Sequence, residues 1–272
     1  TSGADNALQL NGGVSLNNHN GTVASYSRNQ NLSLASLSNS AGQLLHLGSG
    51  NFTLSQAGTL TNAGSIASAN SLTLNASAVN NSGTLQAQQQ LNVQASLNNQ
   101  SGAALLANNI TVSAGAGSVV NSGTVSAANS LQLGAGNIQN NQLLYAGNSA
   151  ALNAASVTNN GNVSANNLSV SGFSLLQNSG RIESATASYS GTTLKNAGGE
   201  LVNASSAANS IAPPQGVPDW KFHLLKKSNR CGWAMANVFM AKVFWRSPKR
   251  CCNPGWRMSA VTKAHRCRIC SM

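Results

Sequence analysis

The first 212 residues are built almost without charge. They hold three basic residues (Arg28, Arg181, Lys195) and three acidic ones (Asp5, Glu183, Glu200), a balance of zero, and no cysteine, tryptophan, proline or methionine. Without a thiol, this body offers neither a disulfide framework nor a thiolate metal site, which suits an oxidising compartment and a reducing one alike. With three carboxylates it is poorly supplied for hydrolase or lyase chemistry, which needs paired acids or an acid–cation set converging on one face. No apolar run approaches the roughly eighteen residues of a membrane span, and no charged segment followed by an apolar stretch opens the chain as a secretion signal would. The first residue is Thr1 and the patterning is already running by Leu8-Gln9-Leu10, so a piece of a longer or processed protein is expected.

The last sixty residues reverse each of these features. They hold all five Cys, all four Trp, all five Pro and all four Met, and twelve of the fifteen Lys and Arg against Asp219 alone. The formal charge of +11 therefore belongs to the tail, and it gives no ground for assigning a nucleic-acid partner to the body. The composition breaks near Ala212.

Within the body one unit recurs, which decides the fold before any single helix or strand is assigned. Aligned on a turn glycine, the copies fall at Gly21, Gly42, Gly64, Gly83, Gly102, Gly123, Gln142 (in the glycine slot), Gly161, Gly180 and Gly198: 177 residues over nine intervals, a mean of about 19.7. Two positions before the slot stands Asn62, Asn81, Asn121, Asn140, Asn159, Asn178 or Asn196, with Gln100 as a near miss and His19 in the first copy. An aliphatic follows the slot, from Val23 and Leu44 to Ile182 and Leu201, with Ala104 ahead of Leu105 in one slipped copy. Later in the unit a second alternating pair recurs, as in Leu32/Leu34, Phe52/Leu54, Leu91/Val93 and Leu168/Val170.

Spacing i, i+2 puts both members of a pair on one face of a strand. Strands this short bury nothing alone. Stacked coil on coil at the ~4.8 Å strand spacing, the pairs become internal aliphatic ladders, and ten coils make a rod about 50 Å long. Glycine in the turn would supply positive φ, and asparagines stacked in register would form an amide ladder. A helix is excluded by the period-two alternation and by the abundance of Ser, Asn and Gly. A disordered low-complexity segment is opposed by the fixed period. The expected fold is all-β: a parallel β-solenoid of about ten coils of 19–20 residues over residues 1–204. A Ser/Ala/Pro-rich linker (205–218) and an irregular basic tail (219–272) are expected to follow.

Residues 121–133, Asn-Ser-Gly-Thr-Val-Ser-Ala-Ala-Asn-Ser-Leu-Gln-Leu, and 62–74, Asn-Ala-Gly-Ser-Ile-Ala-Ser-Ala-Asn-Ser-Leu-Thr-Leu, carry a family resemblance. They resemble filamentous-haemagglutinin repeats of Gram-negative two-partner secretion exoproteins, which include adhesins and contact-dependent growth-inhibition proteins. The resemblance covers about 190 residues in period, Asn-Gly turn and Leu-x-Leu strand. It implies a right-handed parallel β-helix, exported through an outer-membrane transporter and displayed at the cell surface, with a receptor on a host or neighbouring cell. The function it implies is attachment; the alternative is the stalk of a growth-inhibition protein that presents a toxin carboxy-terminal to the repeats. Neither the family's secretion domain nor a Val-Glu-Asn-Asn toxin boundary is present.

No residue is assigned a catalytic, cofactor-binding or metal-binding role. Glu183 and Glu200 should face solvent in adjacent coils, where with Arg181 and Lys195 they could make a small ion-pair cluster. The calcium-binding Gly-Gly-x-Gly-x-Asp nonapeptide is missing. His19 and His46 lack a second ligand at metal spacing and are expected in turns or at the surface. Tyr26, Phe52, Tyr145, Phe173 and Tyr189 are expected to fill wider parts of the coil rather than form a sugar-stacking platform. Asn75 and Asn109 head glycosylation-type triplets, which chance supplies in a chain this rich in Asn and Ser.

Three readings of the tail stand side by side. Cys251-Cys252, His265 and Cys267-Arg-Ile-Cys270, with Cys231 in reserve, have zinc-knuckle spacing. Lys226-Lys227, Lys249-Arg250, Arg266 and Arg268 among Trp220, Trp233, Trp245 and Trp256 suit a nucleic acid, an anionic membrane or a toxin remnant. Simultaneous enrichment in Trp, Cys, Arg, Pro and Met is also what out-of-frame translation of a G/C-rich gene gives. A short amphipathic helix can be drawn over residues 233–245.

Overall fold

The computed structural model describes residues 4–5 and 8–203, together with the backbone of Ser210–Ala212. The tail motifs and the segment 233–245 lie outside the described residues. Among those described there is no helix, and every strand pairing is parallel. The chain winds through about ten coils, each contributing one strand to each of three columns.

The first column begins with Thr22–Ser25, Gln43–His46, Ser65–Ser68 and Thr84–Ala87 and continues to Glu200–Asn203. The second runs from Gln30–Leu34 and Asn51–Gln56 to Ser210–Ala212, and so passes residue 204 into the stretch expected as a linker. The third starts at Ser15–Asn17 and Ser36–Asn39 and ends at residues 193–195. Alternation along each strand sends one set of side chains inward. The inner ladder of the first column is 0–2% exposed from Leu44 through Leu85 and Val125 to Ile182. Burial of each such side chain stabilises by about 1.5–3 kcal/mol, so the coils are held by apolar stacking along the axis.

Coil length decides how much of each coil is strand. From Gly123 onward the period is constant at 19 residues, and the strands lengthen to Thr124–Asn140, Leu143–Asn159 and Asn162–Asn178, nearly a whole coil each. Coils of equal length stack corner upon corner, so the corners enter the ladder too, with register shifts such as that between Ala146 and Ser149. In the earlier coils the period varies, corners do not superimpose, and the strands stay at three to six residues.

One wall of the interior is polar. Asn18, Asn39, Asn62, Asn81, Asn99, Asn121, Asn140, Asn159, Asn178 and Asn196 stack in a single column. Each Nδ2 donates to Oδ1 of the next at 2.7–2.9 Å, nine bonds without a gap. From Asn39 to Asn178 these side chains are no more than 1% exposed. The same Nδ2 also reaches a backbone carbonyl one coil on, as in Asn39 to Ser65 and Asn121 to Leu143, at 3.1 and 2.9 Å. The ladder corrects three details of the sequence alignment. Asn18, not His19, is the first member, and His19 is exposed. Asn99 is the fifth member, so Gln100 is no substitute. Ala103 and Gly199, not Gly102 and Gly198, sit in the stacking slot, because Thr124 N–H bonds to Ala103 and Gly199 lies against Asn178. Gly102 and Gly198, at φ +80° and +81°, are extra residues that lengthen their turns.

The reason for glycine in the slot also differs from the expected one. Gly64, Gly83, Gly161 and Gly180 do not have positive φ. What bars a side chain there is the coil beneath: a Cβ on Gly180 would lie 2.0 Å from the Gly161 carbonyl oxygen, and one on Gly83 2.0 Å from that of Gly64. Where the slot does carry a Cβ, the backbone bond to the glycine below lengthens. It is 3.0 Å behind Ala103 and 3.3 Å behind Gln142, against 2.8 Å behind Gly64 and Gly180.

Two stability predictions follow from this stacking. Asn121→Ala removes two ladder bonds and strands the Asn99 donor and the Asn140 acceptor in a dry interior, and should cost about 2–4 kcal/mol in urea denaturation of the full chain. Gly180→Ala should cost about 1–3 kcal/mol by overpacking. Gly134→Ala, where the nearest atom would be 3.9 Å away, should leave the midpoint unchanged; equal effects at the two glycines would contradict the steric account.

Candidate functional site

The charged residues form two small groups at opposite ends of the rod. At the amino-terminal end, Arg28 Nη2 and Nε donate to the Asp5 carboxylate at 2.8 and 3.2 Å, and the Asn29 backbone and side chain add two more bonds to it. These donors hold the Asp5 carboxyl down at about 2, the Arg28 bond being the largest cause. At the other end, Arg181 Nε and Nη2 bond Glu183 Oε2 at 3.1 and 2.9 Å, and Nη1 bonds Glu200 Oε2 at 2.7 Å. The expected cluster forms around Arg181 alone. Lys195 belongs to the third face, in register with Gln177. Glu200 pairs in register with Arg181 and Glu183 with Val202, so the two carboxylates approach one guanidinium from different columns.

Between Arg28 and Arg181 the chain carries no Asp, Glu, Lys or Arg. The outer surface of these coils is amide and hydroxyl, and parts of it are ordered into rows. Asn129 donates to Asn109 at 2.9 Å, Asn148 to Asn129 at 3.4 Å and Asn167 to Asn148 at 3.3 Å, and the Thr186 hydroxyl donates to Asn167 at 2.7 Å. A second row runs Ser122, Asn141, Asn160, Ser179. The recurrence of Asn109, Asn129, Asn148 and Asn167 at intervals of 20, 19 and 19 is a sequence signal for the first row that the search for inner positions passed over.

His46 is not a surface residue. It is fully buried, with Nε2 3.0 Å from the Ser27 carbonyl, Nδ1 3.2 Å from Ser68 Oγ, and its ring 5.8 Å from that of Phe52. Period-two alternation from the inward Leu44 leads to that result. The aromatics divide. Phe52, Phe173 and Tyr189 fill the interior, and burial pushes the Tyr189 hydroxyl far above its ordinary titration range. Tyr26 and Tyr145 do not: they are 57% and 40% exposed. Asn75 Nδ2 bonds Ser55 Oγ, while its Oδ1 is buried without a partner; Asn109 accepts from Asn129 and Ser130. No group of three or more His, Cys, Asp or Glu comes together among the described residues.

These features define a class of protein: a parallel β-solenoid with a buried amide ladder inside and a neutral polar surface outside. Comparison with family models, with curated proteins and with solved structures gives no match to the chain.

The Asp5–Arg28 clasp has a pH signature. A carboxyl depressed in the fold contributes stability above its unfolded value near 3.8 and loses it as pH falls towards 2. Carbon NMR titration of Asp5 should give a midpoint near 2, and Arg28→Gln should return it towards about 3.9.

Proposed function

We propose that this chain is a section of a secreted, filamentous-haemagglutinin-like adhesin: a stiff rod at the surface of a Gram-negative bacterium that attaches the cell to a host or neighbouring cell. The observation that carries the reading is the long solenoid with a continuous neutral outer surface. Such a surface suits contact with other surfaces through hydrogen bonds and shape, since it sets up no field that steers for or against charged partners. Stiffness comes from the ladders, where every coil is bonded to the coils on both sides. The carboxylates of the described residues support a mechanical role as well. Asp5, Glu183 and Glu200 are each engaged by an arginine and hold the ends of the stack. The near-neutral body also fits passage through an outer-membrane transporter of the two-partner type, as the repeat resemblance implies.

Attachment is measured directly. Beads coated with the full chain should adhere to epithelial or bacterial cell layers, and soluble chain should compete. Adhesion no greater than that of albumin-coated beads would overturn the proposal.

A further inference from the structure

We infer that the notch beside Tyr145 is a binding site for one neutral pyranose unit of a cell-surface glycan. The inference rests on the attachment reading and names the ligand class for one place on the rod. Tyr145, Ser164 and Glu183 occupy one outward column of the first face, in direct register. Two strand spacings, roughly 9–10 Å, thus separate the backbone of the tyrosine from that of the glutamate, with only a serine between them. The gap opens into a cavity of about 200 Å³ lined by Tyr145, Gly147, Ser164, Asn166, Glu183 and Ala185, among others.

The walls are set by the fold. The Tyr145 hydroxyl lies 3.7 Å from the point where a Cβ on Gly147 would stand, so the ring leans along its strand over that glycine. Gly147 itself must stay bare, because a Cβ would come 2.1 Å from the Ala128 carbonyl oxygen. Opposite the ring, both Arg181 bonds to Glu183 land on Oε2. That clamps the carboxylate and leaves Oε1 to accept from a ligand. The exposed amide of Asn166 supplies a donor and an acceptor on a third side.

This combination fits a sugar ring better than other small ligands. The electron-rich face of a tyrosine attracts the C–H face of a pyranose, and a carboxylate and an amide take its hydroxyls. The charge fits a neutral sugar. Arg181, Glu183 and Glu200 sum to 1 − 2 = −1, and the guanidinium donors are already engaged by the two carboxylates. A sialylated or sulfated unit would meet a net negative charge with no free cation to offset it. The site is shallow and single, so affinity per rod is low, and many rods on one surface bind by avidity.

The test is saturation-transfer NMR on the full chain with the methyl glycosides of glucose, galactose, mannose and N-acetylglucosamine, and with sialyllactose. At least one neutral glycoside should receive transfer on its ring C–H protons. Tyr145→Ala should weaken that binding on the order of tenfold, with Glu183→Gln weakening it less. The urea midpoint of Tyr145→Ala should match that of the parent, which separates a lost ligand contact from a lost fold. Absence of transfer from every neutral glycoside, transfer that survives Tyr145→Ala, or preference for sialyllactose would overturn the inference. Bead adhesion separates the two proposals. Adhesion undiminished in Tyr145→Ala leaves attachment standing and removes this site from it; sugar binding without adhesion keeps the site and removes the adhesin.

Discussion

The buried asparagine column is the interaction on which the rest of the structure depends. A primary amide inside an apolar core is costly unless its donors and acceptor are paired, and here the pairing is available only from identical residues one coil away. Any coil that brought its asparagine out of line would leave two amides short, its own and its neighbour's. The ladder therefore fixes register in a way the aliphatic columns cannot, since leucine tolerates a slide that an amide hydrogen bond does not. The parallel in-register stacking of three columns follows once this one column is aligned. So does the tolerance for turns of unequal length: the additional residues at Gly102 and Gly198 are absorbed outside the column, and the asparagines still meet at 2.7–2.9 Å.

The backbone is packed as closely as the side chains. In the stacking slot the chain passes so near the coil below that hydrogen is the only substituent with room, and the coils that carry alanine or glutamine there meet the glycine below through a longer bond. Tight approach and a stacked amide work at neighbouring positions of the same corner. Together they make the corner the most exacting part of each coil, while the outward positions accept almost any small polar residue. This division explains why the sequence looks simple and is nevertheless specific.

Much of the fold was legible because it is periodic. The coil length, the inward aliphatics and the existence of an amide ladder can all be read from the recurrence of Asn, Gly and Leu-x-Leu. What was not legible is where periodicity is broken by one residue. Gly102 and Gly198 imitate the slot glycine while Ala103 and Gly199 fill it, because a turn that gains a residue shifts the landmark but not the structural position. His46 was misread by its chemistry: a histidine suggests a surface, yet alternation from Leu44 sends it inward, where a serine hydroxyl and a carbonyl satisfy both ring nitrogens. The exposed Tyr145 was misread for the opposite reason. Large aromatics are usually buried, but position on the strand decides, and Tyr145 stands at an outward step. The notch beside it exists only when three coils are superimposed, and no single stretch of sequence contains it.

The stacking of coils has a mechanical consequence. A rod anchored at one end and pulled at the other carries the load through its coils in series, so the tension on every interface is the same and the weakest one yields first. The early coils, with short strands and corners outside the ladder, offer fewer bonds per interface than those after Gly123. A coil that yields releases about nineteen residues, some 60 Å of extended chain, in place of roughly 5 Å of stacked height. Under strain such a rod lengthens in steps from its irregular end while the regular end stays intact, and it absorbs work in doing so.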